Sequence, residues 1–547
     1  MKHKIISFSL HDSKKRIEAI FFLILTLVNL LPILSGAYFP TLDGPAHLYN
    51  ANVINELWSQ NHSVFNDFYA FNQELVPNWT SHVLLAFLCK MMPAFMAEKV
   101  VLIGFLIAFP FAFRSLIKTI APDNGYLSFL IFPFTYTYFF FLGFYNFSIA
   151  LLLLLLILNY WIRQYPKKNT IKQLIVLSFG ITLMYFSHIF VFAILLMSLG
   201  IFIIAKGFQK LLLKEQSTKE IILFSFKKAG VLLFSSAFPL LLFVQYFVDR
   251  QSVGGEVYLN HQELMDGLTQ MRSLITLNVE IESIQTKRIT LGLTALIIVG
   301  LFFRFRSKKE YPAFEKTTSN ILLNRFKLSD CWLILAAIML FLYFVLPDSN
   351  ADAGYVSPRI ALLFFIFIVI WIAAQKMPKW IALPIVFLIL FVQYKRVLLF
   401  RESVNVLNPF AVEYVKVSNL IQEKSIVLPI NHTNNWLFGH FSNYLGMKKP
   451  VILLENYECD QSYFPLTWNK SKIPTPLLGT TKIDRFPKLD WKNPSDHQTI
   501  PVDYVFFMGN YMDSLNPLET DIDSILKINY KQIYFSSKCS LFELKKR

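Results

Sequence analysis

Residues 148–162 read Ser-Ile-Ala-Leu-Leu-Leu-Leu-Leu-Leu-Ile-Leu-Asn-Tyr-Trp-Ile, and Arg163, Lys167 and Lys168 follow. A run this apolar, closed by cations, reads as a helix that crosses a bilayer and ends in the cytoplasm. The pattern recurs along the 547 residues, which are 54% hydrophobic and only 16% charged. Soluble chains carry about 25% charged residues. Backbone groups in lipid must bond internally, so these runs are helices.

Working outward from this stretch, a run at about Tyr126–Phe141 precedes it and forms a hairpin with it across Gly143-Phe144-Tyr145-Asn146-Phe147. A first helix at about Ile17–Tyr38 follows a basic start (Lys14, Lys15, Arg16). It reads as an uncleaved membrane helix, since it is long for a signal peptide and Ser35-Gly36-Ala37 is a poor cleavage site. Further helices are expected at about Phe95–Phe113, in a hairpin over Ile171–Ala205, and at about Val231–Phe247, Ile289–Phe303, Cys331–Val345, Arg359 to Lys376, and Trp380–Leu399. The expected fold is mostly α: a polytopic helical membrane protein with about eleven transmembrane helices and a small C-terminal α/β soluble domain. The division is residues 1–400 for the membrane part, with a first external loop at 39–82, and 401–547 for the tail.

Charge sets the expected orientation. The net charge of +16 sits in short clusters between apolar runs, which argues for cytoplasmic loops and against a nucleic-acid partner. No Lys or Arg occurs between Arg16 and Lys90, a gap that holds the acidic loop with Asp43, Glu56, Asp67 and Glu74. The N-terminus is therefore expected in the cytoplasm. The odd helix count puts the tail on the outer side of a plasma or inner membrane. In the tail, Ser425–Pro429, Val451–Leu454 and Val502–Phe507 read as strands, and Gln532–Phe535 with Ser540–Leu544 as a hairpin. Cys459 and Cys539 both fall there and could pair if it is exported. The four cysteines show no metal-ligand spacing.

The stretch richest in chemistry is Pro40-Thr41-Leu42-Asp43-Gly44-Pro45-Ala46-His47-Leu48-Tyr49-Asn50. Pro45 can open a helix. Asp43 then lies near its N-cap, where an anion is stabilised, and His47 falls four residues on, on the same side. A carboxylate held ionised near a membrane surface can serve as a general base or a metal ligand. The plainer reading makes Asp43 a cap and His47 a surface polar residue.

An acidic residue just after the first membrane helix, opening a long external loop, resembles the GT-C superfamily of membrane glycosyltransferases. The family includes protein O-mannosyltransferases, the aminoarabinose transferase of lipid A and oligosaccharyltransferase subunits. Many members carry paired acidic residues at this point; here the second position is Gly44. The resemblance implies a sugar donor on a polyprenyl phosphate and an acceptor that is a lipid, glycan or protein. It implies transfer on the outer face of the cell envelope, with Asp43 as general base. The leaving lipid phosphate calls for cations or helix N-termini. Arg359, at the outer start of a helix, is the first candidate, with Lys287 and Arg288 behind it; interfacial snorkelling is the alternative. His188 near a hairpin turn, His82, and Trp79 as a stacking platform are candidates for donor or substrate binding. Each also reads as ordinary packing, and Asn146 reads as structural. A divalent ion is a candidate cofactor, with Asp348 and Asp352 as weak ligand candidates and Asp43 as a third oxygen donor.

Competing readings are a transporter or flippase of lipid-linked glycans, a surface-polysaccharide polymerase or ligase, and a non-catalytic scaffold. Transporters usually place ionisable residues within the membrane, whereas the candidates here lie at helix ends. There is no Walker loop, Gly-x-Ser-x-Gly element or His-Glu-x-x-His site.

Overall fold

A computed structural model describes residues 2–59, 64–213, 217–248, 255–306, 326–350, 354–469, 502–509 and 526–545. Among them, seven helices are long and apolar enough to cross a membrane: Ala94–Ile120, Tyr145–Gln164, Ile189–Leu212, Thr218–Val248, Val279–Arg306, Val356–Ala373 and Lys379–Leu420. Thr80–Cys89, Ile171–Ser187 and Asp330–Val345 are shorter apolar helices. The chain is thus mostly α-helical, as a membrane protein of this composition should be. The spans that qualify by length and composition number seven, against the eleven expected.

Two compact units emerge. One comprises residues 1–31, 104–138 and 149–400; the other comprises 32–103, 139–148 and 401–547.

In the first unit, Ile171–Ser187, Ile189–Leu212 and Thr218–Val248 pack together, and Asp330–Val345 packs on Val356–Ala373. Thr218–Val248 leaves Phe226, Leu233, Phe234, Leu241 and Val244 exposed, an apolar stripe that lipid rather than water can cover.

The first helix runs Lys2–Val28, with a short helix Leu31–Leu34 after it, rather than unbroken over Ile17–Tyr38. Sequence and structure part at three further places. The expected helix at Tyr126–Phe141 is instead a run of 3-10 turns over Pro122–Phe134, then a short helix at Tyr138–Phe141. Pro133 offers no N–H to an α-helical ladder. Past it, Arg396 donates to three backbone carbonyls: Pro133 O (3.0 Å), Tyr136 O (3.1 Å) and Leu274 O (2.7 Å). Second, the helix expected from Ile289 starts at Val279. The buried Glu282 carboxylate accepts from the backbone N–H of Leu277 (2.6 Å) and Asn278 (2.8 Å), which caps the earlier start. Lys287 and Arg288 therefore lie more than two turns inside the helix, exposed, rather than at its outer start. Third, the last helix runs to Val417 rather than ending near Leu399.

In the second unit, the segment expected as a loop at 39–82 is largely structured. It holds the helices Gly44–Trp58 and Phe65–Phe68, the strand Tyr69–Phe71 and the start of Thr80–Cys89. Tyr69–Phe71 pairs antiparallel with Leu466–Trp468 of the tail. Gly44–Trp58 packs on Thr80–Cys89 and on the 3-10 run Trp436–Gly446. The tail forms a five-stranded sheet in the order Ile452–Leu453, Ile426–Asn431, Tyr504–Met508, Cys539–Leu544, Tyr530–Phe535. The first three strands run parallel and the terminal pair forms the expected antiparallel hairpin. Ile426–Asn431 and Tyr504–Met508 are buried almost throughout, as central parallel strands must be. Cys459 and Cys539 are free and buried.

Candidate functional site

Asp43 occupies the N-cap position of Gly44–Trp58, but its side chain makes no cap hydrogen bond. The backbone carbonyl of Asp43 starts the helix by accepting from His47 N–H (2.9 Å). Asp43 N–H in turn donates to Leu142 O (3.1 Å), and Leu42 N–H to Phe141 O (3.0 Å). The Gly143 turn thus clamps the helix entrance. Gly143 has φ +80°, and a Cβ there would lie 2.8 Å from Gly44 N and 2.9 Å from Asp43 N.

Gly44 has an equally local reason. A Cβ on it would run into Thr41 Oγ1, Glu98 Oε1 and the Tyr145 hydroxyl. These three are joined: Tyr145 donates to Glu98 Oε1 (2.6 Å) and meets Thr41 Oγ1 at 2.9 Å. The position that carries a second acidic residue in the resembled family has no room for one here. Glu98 brings its own carboxylate to that place.

The freed Asp43 carboxylate accepts a hydrogen bond from Tyr457 and faces His440, whose Nε2 lies 3.7 Å from Asp43 Oδ1. His440 Nδ1 pairs with Glu455, whose other oxygen accepts from Ser442 (3.0 Å) and Asn443. The His440 ring stacks on Tyr457 with centroids 4.1 Å apart. His440 is thus held in position by a carboxylate on one side, with its second nitrogen turned toward Asp43. This is the base-and-orienter arrangement of proton-transfer sites. Burial raises the Asp43 carboxyl to about 6 against the pull of His440 and His47. For His440, burial acts downward, but Glu455, Asp43 and Glu458 together outweigh it and the net shift is upward.

Behind Asp43 is a second cluster. His47 Nδ1 lies 2.7 Å from Glu458 Oε1, and His82 Nε2 lies 2.7 Å from Glu458 Oε2. The outer nitrogens meet backbone carbonyls: His47 Nε2 donates to Gly143 O (2.9 Å) and His82 Nδ1 to Asn78 O (3.0 Å). Asn50, one helical turn past His47, donates to Glu458 Oε2 (2.6 Å). Burial pulls the His47 imidazolium down, but Glu458 more than reverses this and lifts it to about 9. Burial pushes the Glu458 carboxyl up, and the two histidines overcome it and hold it well below the carboxylate range.

Asn78 takes the left-handed conformation (φ 67°) that asparagine tolerates. Its carbonyl also accepts from Asn146 Nδ2 (2.8 Å), while Asn146 Oδ1 accepts from Ser81 N–H (2.7 Å). Asn146 is therefore structural, as expected: it ties the start of Thr80–Cys89 to the Gly143 turn. Trp79, at the N-cap of that helix, stacks on Phe71 (6.2 Å between centroids).

Asp43, His47, His82 and Trp79 all belong to this unit. His188 and Arg359 belong to the other one. There, buried His188 sits between Ile171–Ser187 and Ile189–Leu212 and feels the Arg359 charge, with Arg359 in the first turn of Val356–Ala373. Asp348 is engaged locally, where its Oδ1 accepts from Ser357 N–H (3.0 Å) at the start of that helix. Asp352 lies outside the described residues.

Sequence reading missed the tail's contribution: His440, Glu455, Tyr457 and Glu458. The available signal was Glu455-Asn456-Tyr457-Glu458-Cys459-Asp460, three acids in six residues directly after the apolar Val451–Leu454. No protein-family model matches the chain, and no curated protein matches it either.

Proposed function

We propose that this chain is a membrane glycosyltransferase that moves a sugar from a polyprenyl-phosphate donor to an acceptor hydroxyl on the outer face of the membrane. The observation that carries the reading is the state of Asp43. Its carboxylate is buried, free of capping duty and raised to about 6, close to the pH at which a general base works best. The same chain carries apolar helices of membrane-spanning length, and a lipid-linked donor resides in the bilayer that such helices cross.

Asp43 takes the proton of the acceptor hydroxyl as that oxygen bonds to the anomeric carbon. The bond from that carbon to the phosphate oxygen breaks, and the electron pair leaves with the polyprenyl phosphate. His440, whose imidazolium form Glu455 favours, supplies positive charge next to Asp43 for the phosphate oxygens.

The test is transfer from a radiolabelled polyprenyl-phosphate hexose in membrane vesicles. Asp43→Asn keeps the shape and removes the base, so the rate should fall at least about 100-fold with insertion and expression intact. Full retained activity would remove Asp43 from the chemistry.

A further inference from the structure

Four ring nitrogens, two on His47 and two on His82, each face an oxygen that accepts: Gly143 O, Asn78 O and the two oxygens of Glu458. A neutral imidazole has one N–H. Backbone carbonyls can only accept, so the outer nitrogens, His47 Nε2 and His82 Nδ1, carry those protons. The lone pairs of His47 Nδ1 and His82 Nε2 are then aimed at the Glu458 carboxylate, which repels them. A positive species between them, either a second proton on each ring or a metal ion, relieves that repulsion. His47, at 4% side-chain exposure, and Glu458, at 1%, are too buried for water to do this freely.

We propose that His47 Nδ1, His82 Nε2 and Glu458 form a site for a divalent transition metal of the zinc type. One ligand atom from each residue falls within 4.8 Å of the others. Two imidazoles and one carboxylate are a donor set that zinc takes in three-ligand sites with an open fourth position. The outer N–H bonds to Gly143 O and Asn78 O are the supports that fix tautomer and ring direction in metal-binding histidines. Charge agrees as well. Two neutral imidazoles, one carboxylate and a divalent ion carry +1, the same as two imidazolium rings on one carboxylate, and the neighbouring Asp43 carboxylate brings either state to zero. A metal can therefore replace two protons without a new electrostatic penalty, and its uptake releases them. Metal–ligand bonds of about 2.0–2.1 Å at tetrahedral angles place ligand atoms about 3.3 Å apart. Binding thus opens each 2.7 Å contact by several tenths of an ångström, within the reach of a small Glu458 rotation. This site differs from the Asp348-based one expected from sequence.

Metal binding here does not depend on the glycosyl-transfer reading and is tested without a sugar donor. Full-length chain, purified in detergent and stripped with EDTA, is titrated with zinc chloride against a chromophoric chelator, and its coordination is read by X-ray absorption. The expected result is about one saturable equivalent at micromolar zinc or below, with nitrogen and oxygen ligands only and a zinc-dependent rise in the melting temperature. His82→Ala and Glu458→Gln should each weaken binding about 100-fold or more and abolish the zinc-dependent rise. No saturable zinc on the wild-type chain, sulfur in its coordination shell, or wild-type affinity in both variants would each overturn the proposal. The wild-type readouts stand even where a variant fails to fold.

Discussion

Replacing Gly143 by Ala tests whether the turn at 143 holds the site together. The glycine sits at φ +80°, where an added Cβ lies 2.8 Å from Gly44 N, 2.9 Å from Asp43 N and 3.1 Å from Asp43 Cα. Two costs combine. A left-handed backbone carrying a Cβ costs about 1–2 kcal/mol. Pushing that Cβ against backbone, which cannot rotate away as a side chain can, costs about 1–3 kcal/mol more. The sum of about 2–5 kcal/mol should lower the melting midpoint by roughly 5–15 °C in a body of a few hundred residues. The assay is intrinsic-fluorescence melting of the detergent-purified chain at fixed scan rate, with Gly230→Ala as control. Gly230 lies within Thr218–Val248 and has nothing within 4 Å of an added Cβ. Alanine there should hold or raise the midpoint, by up to about 1 kcal/mol of helix propensity. Because the Gly143 carbonyl accepts from His47, and Leu142 and Phe141 clamp the backbone at Asp43 and Leu42, Gly143→Ala should also lower transfer activity in chains that remain folded. A Gly143→Ala midpoint within about 1 °C of wild type, or shifted in the same direction as Gly230→Ala, would refute the reasoning.

Two further expectations follow from the same unit. Asn146→Ala removes two bonds at the start of Thr80–Cys89, taking away the acceptor of Ser81 N–H and leaving the Asn78 carbonyl with His82; a loss of about 1–3 kcal/mol should appear as a lower melting midpoint, and an unchanged midpoint would deny Asn146 its structural role. Asp503, half-buried at the start of the central tail strand Tyr504–Met508, has its carboxyl raised by burial although it accepts from Ile426 N–H (2.8 Å). A carboxyl raised on folding favours the folded state below its ordinary pKa and loses that contribution as pH rises through the folded value. Asp503→Asn keeps the acceptor and removes the charge, so the variant should melt above wild type at pH 7.5, and the gap should shrink as pH falls through the carboxylate range. A gap that widens on acidification would contradict this.

Much of the architecture follows from local periodicity. The run at 148–162 with its trailing cations, the hairpin that turns at His188, and the tail strands at Ile426–Asn431 and Tyr504–Met508 repeat hydrophobic patterns that a helix or strand must bury. The i, i+4 relation of Asp43 and His47 was equally legible, because one helical turn carries it. Where the sequence misled, a distant partner overrode a local preference. Pro133 and its neighbours leave the α-helix because Arg396, more than 250 residues on, meets their carbonyls. Asp348, a weak ligand candidate from the sequence, accepts from Ser357 N–H at the start of the Val356–Ala373 helix, a local contact that no spacing announced.

By itself, then, the sequence determined a many-helix membrane chain, a β-containing tail and Asp43 at a helix entrance, because composition and short-range period suffice for these. Only the tertiary structure decided the site's remaining partners. His82 meets Glu458 across 376 residues of chain, and Asp43 meets His440 and Tyr457 of the tail. No spacing encodes such contacts; they arise when the Gly44–Trp58 helix packs against the tail and desolvates both sides together. The same packing explains why position 44 is a glycine: Thr41, Glu98 and Tyr145 already fill the space a side chain would need.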